Sequence, residues 1–209
     1  MTEVRFKHYQ GEKYKEQDFK IFVLGESHYF CQEDLDAFTK KEKYIENVTQ
    51  DVVNWFLEYK RNQSAFSRWM TTFTKFSNIV CDAKLSSTEI IDFWEKSVFY
   101  NFVQSPTTKP RTSPTQQEFK DSIEPFLNTT NLTDPNIIFI WGYRLWNNLP
   151  KENLFTERLI EGKIIHLYNN IPIIVIPHPS SSKFNYSLSK QIKSYVQLVK
   201  SNTTLQHSR

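Results

Sequence analysis

Four short apolar runs punctuate an otherwise mixed chain, at residues 20–24, 98–103, 137–141 and 171–176. Each is bounded by polar or turn residues, and each reads as a buried strand. Between them the apolar positions repeat with helical spacing. Phe119, Ile123, Phe126 and Leu127 fall at i, i+4, i+7 and i+8, and Leu188, Ile192, Tyr195, Val196 and Val199 repeat the pattern near the C-terminus. Start signals agree: Ser113, Pro114 and Gln116 supply an N-cap, a proline at N1 and a capping-box partner. Ser86 with Glu89 does the same ahead of Ile90, Ile91 and Trp94. Further helices are expected over 51–59 and 66–76.

Strands alternating with helices imply parallel pairing through right-handed crossovers. The expected fold is therefore α/β, a single domain over residues 1–209 with three α/β/α layers around a central four-stranded parallel sheet. In such sheets ligands bind beyond the carboxyl ends of the strands, where strand order reverses. The segments to examine are Gly25 to Phe30, Asn101 to Pro106, Gly142-Tyr143-Arg144 and Pro177-His178-Pro179-Ser180. They are scattered in sequence, but the fold would gather them at one edge.

Composition narrows the chemistry. A chain of 209 residues can bury a stable core unaided, and 15% aromatic residues fill such a core with rings to spare for a binding surface. Cys31 and Cys81 are its only cysteines, in no metal or redox spacing, so no disulfide framework, zinc site or iron–sulfur cluster is expected. No cofactor is expected either. The polar stretch 1–20 has no apolar leader region, and no apolar run approaches the roughly 20 residues of a membrane span. A cytoplasmic, monomeric protein away from membranes is the expectation. A net charge of +3 permits nucleic acid as a partner without arguing for it.

Among the strand-end segments, Gly25 lets the backbone turn sharply and approach a ligand. Glu26, Ser27, His28 and Tyr29 follow as polar groups where the strand leaves the core; a plain turn with Ser27 as helix N-cap is the competing reading. His178, between Pro177 and Pro179, sits on a stiffened backbone that holds an imidazole in place. The hydroxyls of Ser180 to Ser182 suit a phosphate. Asn101 is an amide inside an apolar run, and it must bond local backbone or present its donor–acceptor pair to a ligand.

Taken together, Gly25-Glu26-Ser27-His28-Tyr29, Asn101 and His178-Pro179-Ser180 resemble the motifs of the uracil-DNA glycosylase superfamily, in the same order over about residues 20–195. The run Ile137 to Gly142 is similar to that family's strand ending in glycine. The resemblance implies DNA as partner and roles residue by residue. His178 would donate to the O2 of an extruded base, Asn101 would read the base edge, and Tyr29 would pack beside C5 of a pyrimidine. Gly25 and His28 would complete the base pocket. Ser180 would touch a phosphate, and the stretch from Ser181 to Tyr186 would lie near the minor groove as a wedge. Lys109, Arg111, Arg144 and Lys183 are the candidate phosphate-binding cations.

The chain also departs from that pattern. Ser27 stands where the family carries a water-positioning aspartate, and His28 stands in place of proline. Glu26 is the nearest carboxylate, so Glu26, Ser27 and His178 form the candidate catalytic group. The expected activity is hydrolysis of the N-glycosidic bond of uracil or another deaminated or modified pyrimidine, in base excision or phage defence. Tyr29 favours uracil; the altered first motif favours a specialised base. A catalytically silent nucleic-acid-binding protein with the same pocket is the alternative, supported by Ser27. A weaker third reading makes the aromatic helices between Asp51 and Trp94 a protein-docking module, though a core explains those rings more simply.

Overall fold

The computed structural model describes residues 4–40, 42–107 and 112–206. In chain order the elements are β1 (Tyr9–Gln10), β2 (Ile21–Gly25), α1 (Gln32–Thr39), α2 (Val48–Lys60), α3 (Met70–Val80), α4 (Ser87–Glu95) and β3 (Ser97–Asn101). There follow α5 (Gln116–Asp121), α6 (Ile123–Thr133), β4 (Ile137–Trp141) and α7 (Tyr143–Asn148). The chain ends through β5 (Phe155–Ile160), β6 (Lys163–Tyr168), β7 (Ile171–Ile176) and α8 (Ser189–Gln206).

The fold is α/β, but the sheet is seven-stranded and mixed, in the order β1-β3-β2-β4-β7-β6-β5. The four expected strands pair parallel with one another, β3 with β2, β2 with β4 and β4 with β7. The expected sheet falls short by three strands. β1 adds an antiparallel edge to β3, and the hairpin of β5 and β6 continues antiparallel from β7. Two-residue turns make this extension. Glu161-Gly162 and Asn169-Asn170 all take positive φ, between 48° and 74°, the conformation a tight hairpin requires.

Side chains of the parallel strands alternate between two cores. Val23, Phe99, Ile137, Phe139 and Trp141 join Phe56, Phe73, Phe76, Trp94 and Ile192 from α2, α3, α4 and α8. Phe22, Leu24, Val98, Tyr100, Ile138 and Ile140 join Phe119, Phe126 and Leu145 from α5, α6 and α7. The period of two along each strand thus feeds both faces of the sheet. Each fully buried ring or branched chain contributes about 1.5–3 kcal/mol.

Several boundaries move from their expected places. The helix expected over 66–76 begins at Met70, because the apolar set Met70, Phe73, Phe76, Ile79 and Val80 starts there, while residues 65–69 are exposed. The Ser86–Glu89 capping box forms as expected. The second box is not the expected Ser113–Gln116 but Thr115–Glu118: Thr115 N–H donates to Glu118 Oε2 at 2.7 Å. A carboxylate in the first turn also suits the helix dipole better than a neutral amide. The single helix suggested by Phe119 to Leu127 divides at Ser122 into α5 and α6. Pro125 forces the break, since it has no N–H and collides with the turn before it. β3 ends at Asn101, two residues early, although Phe102 and Val103 still donate to the carbonyls of Gly25 and Glu26.

Candidate functional site

The parallel strands stand in the order second, first, third, fourth, so the crossovers reverse between β2 and β4, where a ligand crevice is expected. A cavity of about 680 Å³ opens there, lined by residues from the ends of β2, β3, β4 and β7. Gly25 to Tyr29, Asn101, Arg144, His178 and Ser180 all line it. Ser181 and Lys183 are not in its wall, and Lys109 and Arg111 lie outside the described residues.

Gly25 has a reason to lack a side chain, but it differs from the expected close approach of a ligand. A Cβ built on Gly25 would stand 2.1 Å from Oδ1 of Asn101. Parallel pairing sets Gly25 directly beside Asn101, so the carboxamide lies across the glycine. Asn101 is 7% exposed, and its Nδ2 donates to His28 Nε2 at 2.9 Å. Thr49 Oγ1 lies 2.8 Å from the same ring nitrogen. His28 forms the inner wall behind Asn101, edge-on to Phe6 at 5.4 Å. Burial pushes its pKa down to about 3, so the ring is neutral and able to accept. Gln104, also buried, secures the same corner: its Nε2 donates to the Asn101 carbonyl at 2.9 Å, and its Oε1 accepts from Phe6 N–H at 2.8 Å.

Elsewhere in the cavity wall, Arg144 in the first turn of α7 grips Glu26 with two parallel bonds, Nε to Oε1 at 2.8 Å and Nη2 to Oε2. The Glu26 side chain is 10% exposed and that of Arg144 42%. Glu26 first, and then the Tyr29 oxygen that accepts from the guanidinium, hold the Arg144 pKa above its ordinary value. The cation expected to meet a phosphate is therefore committed to Glu26.

His178 completes the wall, edge-on to Trp141 at 5.9 Å. The Ser180 backbone N–H donates to His178 Nδ1 at 3.2 Å, and Ser180 Oγ lies 2.8 Å from the same atom. Nδ1 therefore carries no proton, and the neutral ring keeps its hydrogen on Nε2. His178 retains an exposed edge, yet desolvation first and the Arg144 charge second hold its pKa below the ordinary histidine range. Two buried polar atoms of the cavity-lining residues, Ser27 Oγ and Trp141 Nε1, have no hydrogen-bond partner among the described residues. Such groups cost about 1–3 kcal/mol each unless something bonds them.

Sequence reasoning missed Val52, Trp55, Trp69, Thr72 and Phe73, which bring α2 and α3 to the cavity. Trp55 is 54% and Trp69 38% exposed, so the rings of these helices are divided between core and cavity rim. Their helical setting hid this, because Trp55 adjoins Phe56 and Trp69 adjoins Met70, both core residues.

Among the described residues no group of three or more His, Cys, Asp or Glu is placed to hold a metal ion, and no helix is long and apolar enough to cross a membrane. Cys31 and Cys81 are both free. No protein-family model matches the chain, and no curated protein matches it.

Proposed function

We propose that the chain is a DNA glycosylase, a divergent relative of the uracil-DNA glycosylase superfamily with its three-layer fold, which hydrolyses the N-glycosidic bond of an extruded pyrimidine. The observation that carries this reading is the pairing, in one strand-end cavity, of a fixed carboxamide with a neutral imidazole whose remaining proton is on Nε2. Asn101 offers a donor–acceptor edge of the kind that matches a pyrimidine.

In the reaction the C1′–N1 bond breaks with its electron pair leaving on the base. The Nε2–H of His178 donates to the base oxygen on which negative charge gathers, and a neutral donor does this without protonating the base. Positive charge develops on the sugar, and the Glu26 carboxylate lies on the same cavity wall to stabilise it and to orient the incoming water. Water adds to C1′ and releases a proton to solvent. Preorganised donors of this kind typically carry the largest share of such an acceleration.

One observation favours a second reading. Both carboxylate oxygens of Glu26 are taken up by Arg144, and Ser27 brings no carboxylate, so the cavity suits a binder that performs no chemistry. The test is mass spectrometry of free bases released from DNAs carrying different pyrimidines, with His178→Ala as control. A glycosylase releases one base and leaves alkali-labile sites, and His178→Ala slows single-turnover release by about 10²–10³-fold with an unchanged melting temperature. DNA retarded without any alkali-labile site would establish the silent binder instead.

A further inference from the structure

Resting on the glycosylase reading of the same cavity, we infer that its substrate is single-stranded DNA, with a base beside the extruded one stacked on Trp55 or Trp69. The first observation is the rim. Trp55, Trp69 and Tyr29 are 54%, 38% and 49% exposed, and all three line the cavity. Trp69 is no loose surface ring: it meets the buried Phe73 edge-on at 5.8 Å. Exposed rings around one opening, Trp69 held in place among them, form a stacking platform, and stacking needs a base with a free face. In a duplex both faces of a base are covered by its neighbours.

The second observation concerns the loop after His178. Proteins that kink or open a duplex frequently insert an apolar side chain between base steps. Phe184 is the only apolar residue between Ser180 and Asn185, and it is fully buried, stacked on Phe76 at 6.4 Å. Lys75 lies 5.8 Å above the Phe184 ring and donates to the Ser181 carbonyl at 2.7 Å, which fastens the loop to α3. From Ser181 to Asn185 the loop thus has nothing apolar to insert. Exposed cations nearby serve the strand's phosphates: Arg68 adjoins Trp69, and Lys183 lies on the loop, and neither makes an ion pair with a described residue. Tyr186, 52% exposed, ends the stretch expected as a wedge and is its one accessible ring, so it belongs in the test.

The experiment uses the full chain with one deoxyuridine oligonucleotide, alone and annealed to its complement, and follows both anisotropy and base release. The single strand is expected to bind more tightly and to lose its base at least about 10-fold faster, since its base need not be unpaired. Trp55→Ala or Trp69→Ala should weaken single-strand binding by about 5- to 150-fold; circular dichroism confirms that these variants fold. Equal or faster release from the duplex, or full affinity in both tryptophan variants, overturns the inference while leaving the glycosylase reading intact. Selective loss of duplex release in Tyr186→Ala would show a wedge and overturn it too. Tryptophan-dependent single-strand binding with no base released from any pyrimidine supports the strand surface and overturns the glycosylase reading.

Discussion

His28 ties the site to the stability of the fold, and acid should reveal it. Its ring is 6% exposed, accepts from Asn101 as a neutral imidazole, and lies 2.8 Å from Thr49 Oγ1. Burial pushes its folded pKa down to about 3, whereas an unfolded histidine takes its proton near pH 6.5. Between those values the unfolded chain binds one more proton than the folded chain. The His28 contribution is therefore complete above pH 6.5, falls as pH drops below it, and levels off near pH 3. The slope is about 1.4 kcal/mol per pH unit, so moving from pH 7 to pH 5 removes about 2 kcal/mol through this one ring. Desolvation also lowers the pKa values of His8 and His178, and they act in the same direction. Asp92 and Glu89, lowered by hydrogen bonds from Lys96 and Ser86, weaken the fold only in the more acidic carboxylate range.

The assay is urea unfolding by tryptophan fluorescence at pH 7, 6 and 5, in the native chain and in His28→Gln. The variant is less stable throughout, since it loses the imidazole's fit among Phe6, Phe30 and Asn101. Its pH slope is the informative quantity, and it should be shallower by about 2 kcal/mol over the two units. Identical slopes in the two proteins would refute the burial argument, and with it the claim that a neutral His28 holds Asn101 in place.

Two further perturbations probe the walls of the same cavity. Arg144→Ala strips the partner from a carboxylate that is 10% exposed and should cost about 1–3 kcal/mol, at the low end because the guanidinium is half in solvent; adding Glu26→Gln should recover part of it, and strict additivity in a double-mutant cycle of urea unfolding would deny the coupling. Gly25→Ala drives a methyl group to 2.1 Å from Asn101 Oδ1 and should cost about 1–3 kcal/mol while blurring selection among pyrimidines, an expectation that an unchanged melting temperature and base preference would refute.

What was legible in the sequence is what short range encodes. The parallel strands announced themselves because they are buried on both faces, which makes each a continuous apolar run. Their ends then pointed to the site. The β5–β6 hairpin gave no such signal, since four of the six β5 residues are exposed and its strands carry charge; only the turn pairs Glu161-Gly162 and Asn169-Asn170 betray it. Contacts made by the fold itself were equally hidden. Glu26 and Arg144 are 118 residues apart, and His28 and Asn101 are 73 apart. Only the lateral order of β3, β2 and β4 brings them together. A helix likewise gives no local sign that Trp55 faces the cavity while its neighbour Phe56 faces the core.

The Glu26–Arg144 pair decides how the proposed chemistry must run. Arg144 bonds Glu26 and Tyr29, and its charge bears on His178, so one guanidinium touches three of the assigned roles. Both oxygens of Glu26 already accept from the guanidinium, which argues against a mechanism that begins by stripping a proton from water. Glu26 has not lost all its acceptor capacity, however. A carboxylate has about four lone-pair sites and a bidentate arginine occupies two, which leaves room to accept from a water molecule and aim it. Bond breaking that runs ahead of water attack needs orientation and a negative charge near the sugar, and it needs both more than it needs a base. Desolvation first and the Arg144 charge second keep His178 neutral, so in the proposed reaction the leaving base would meet a hydrogen-bond donor and depart as an anion. Pairing Glu26 with Arg144 therefore shifts the work from proton abstraction to electrostatics; a general-base contribution forgone is worth about 10²–10⁴-fold, which makes a slow glycosylase the consistent outcome of this geometry.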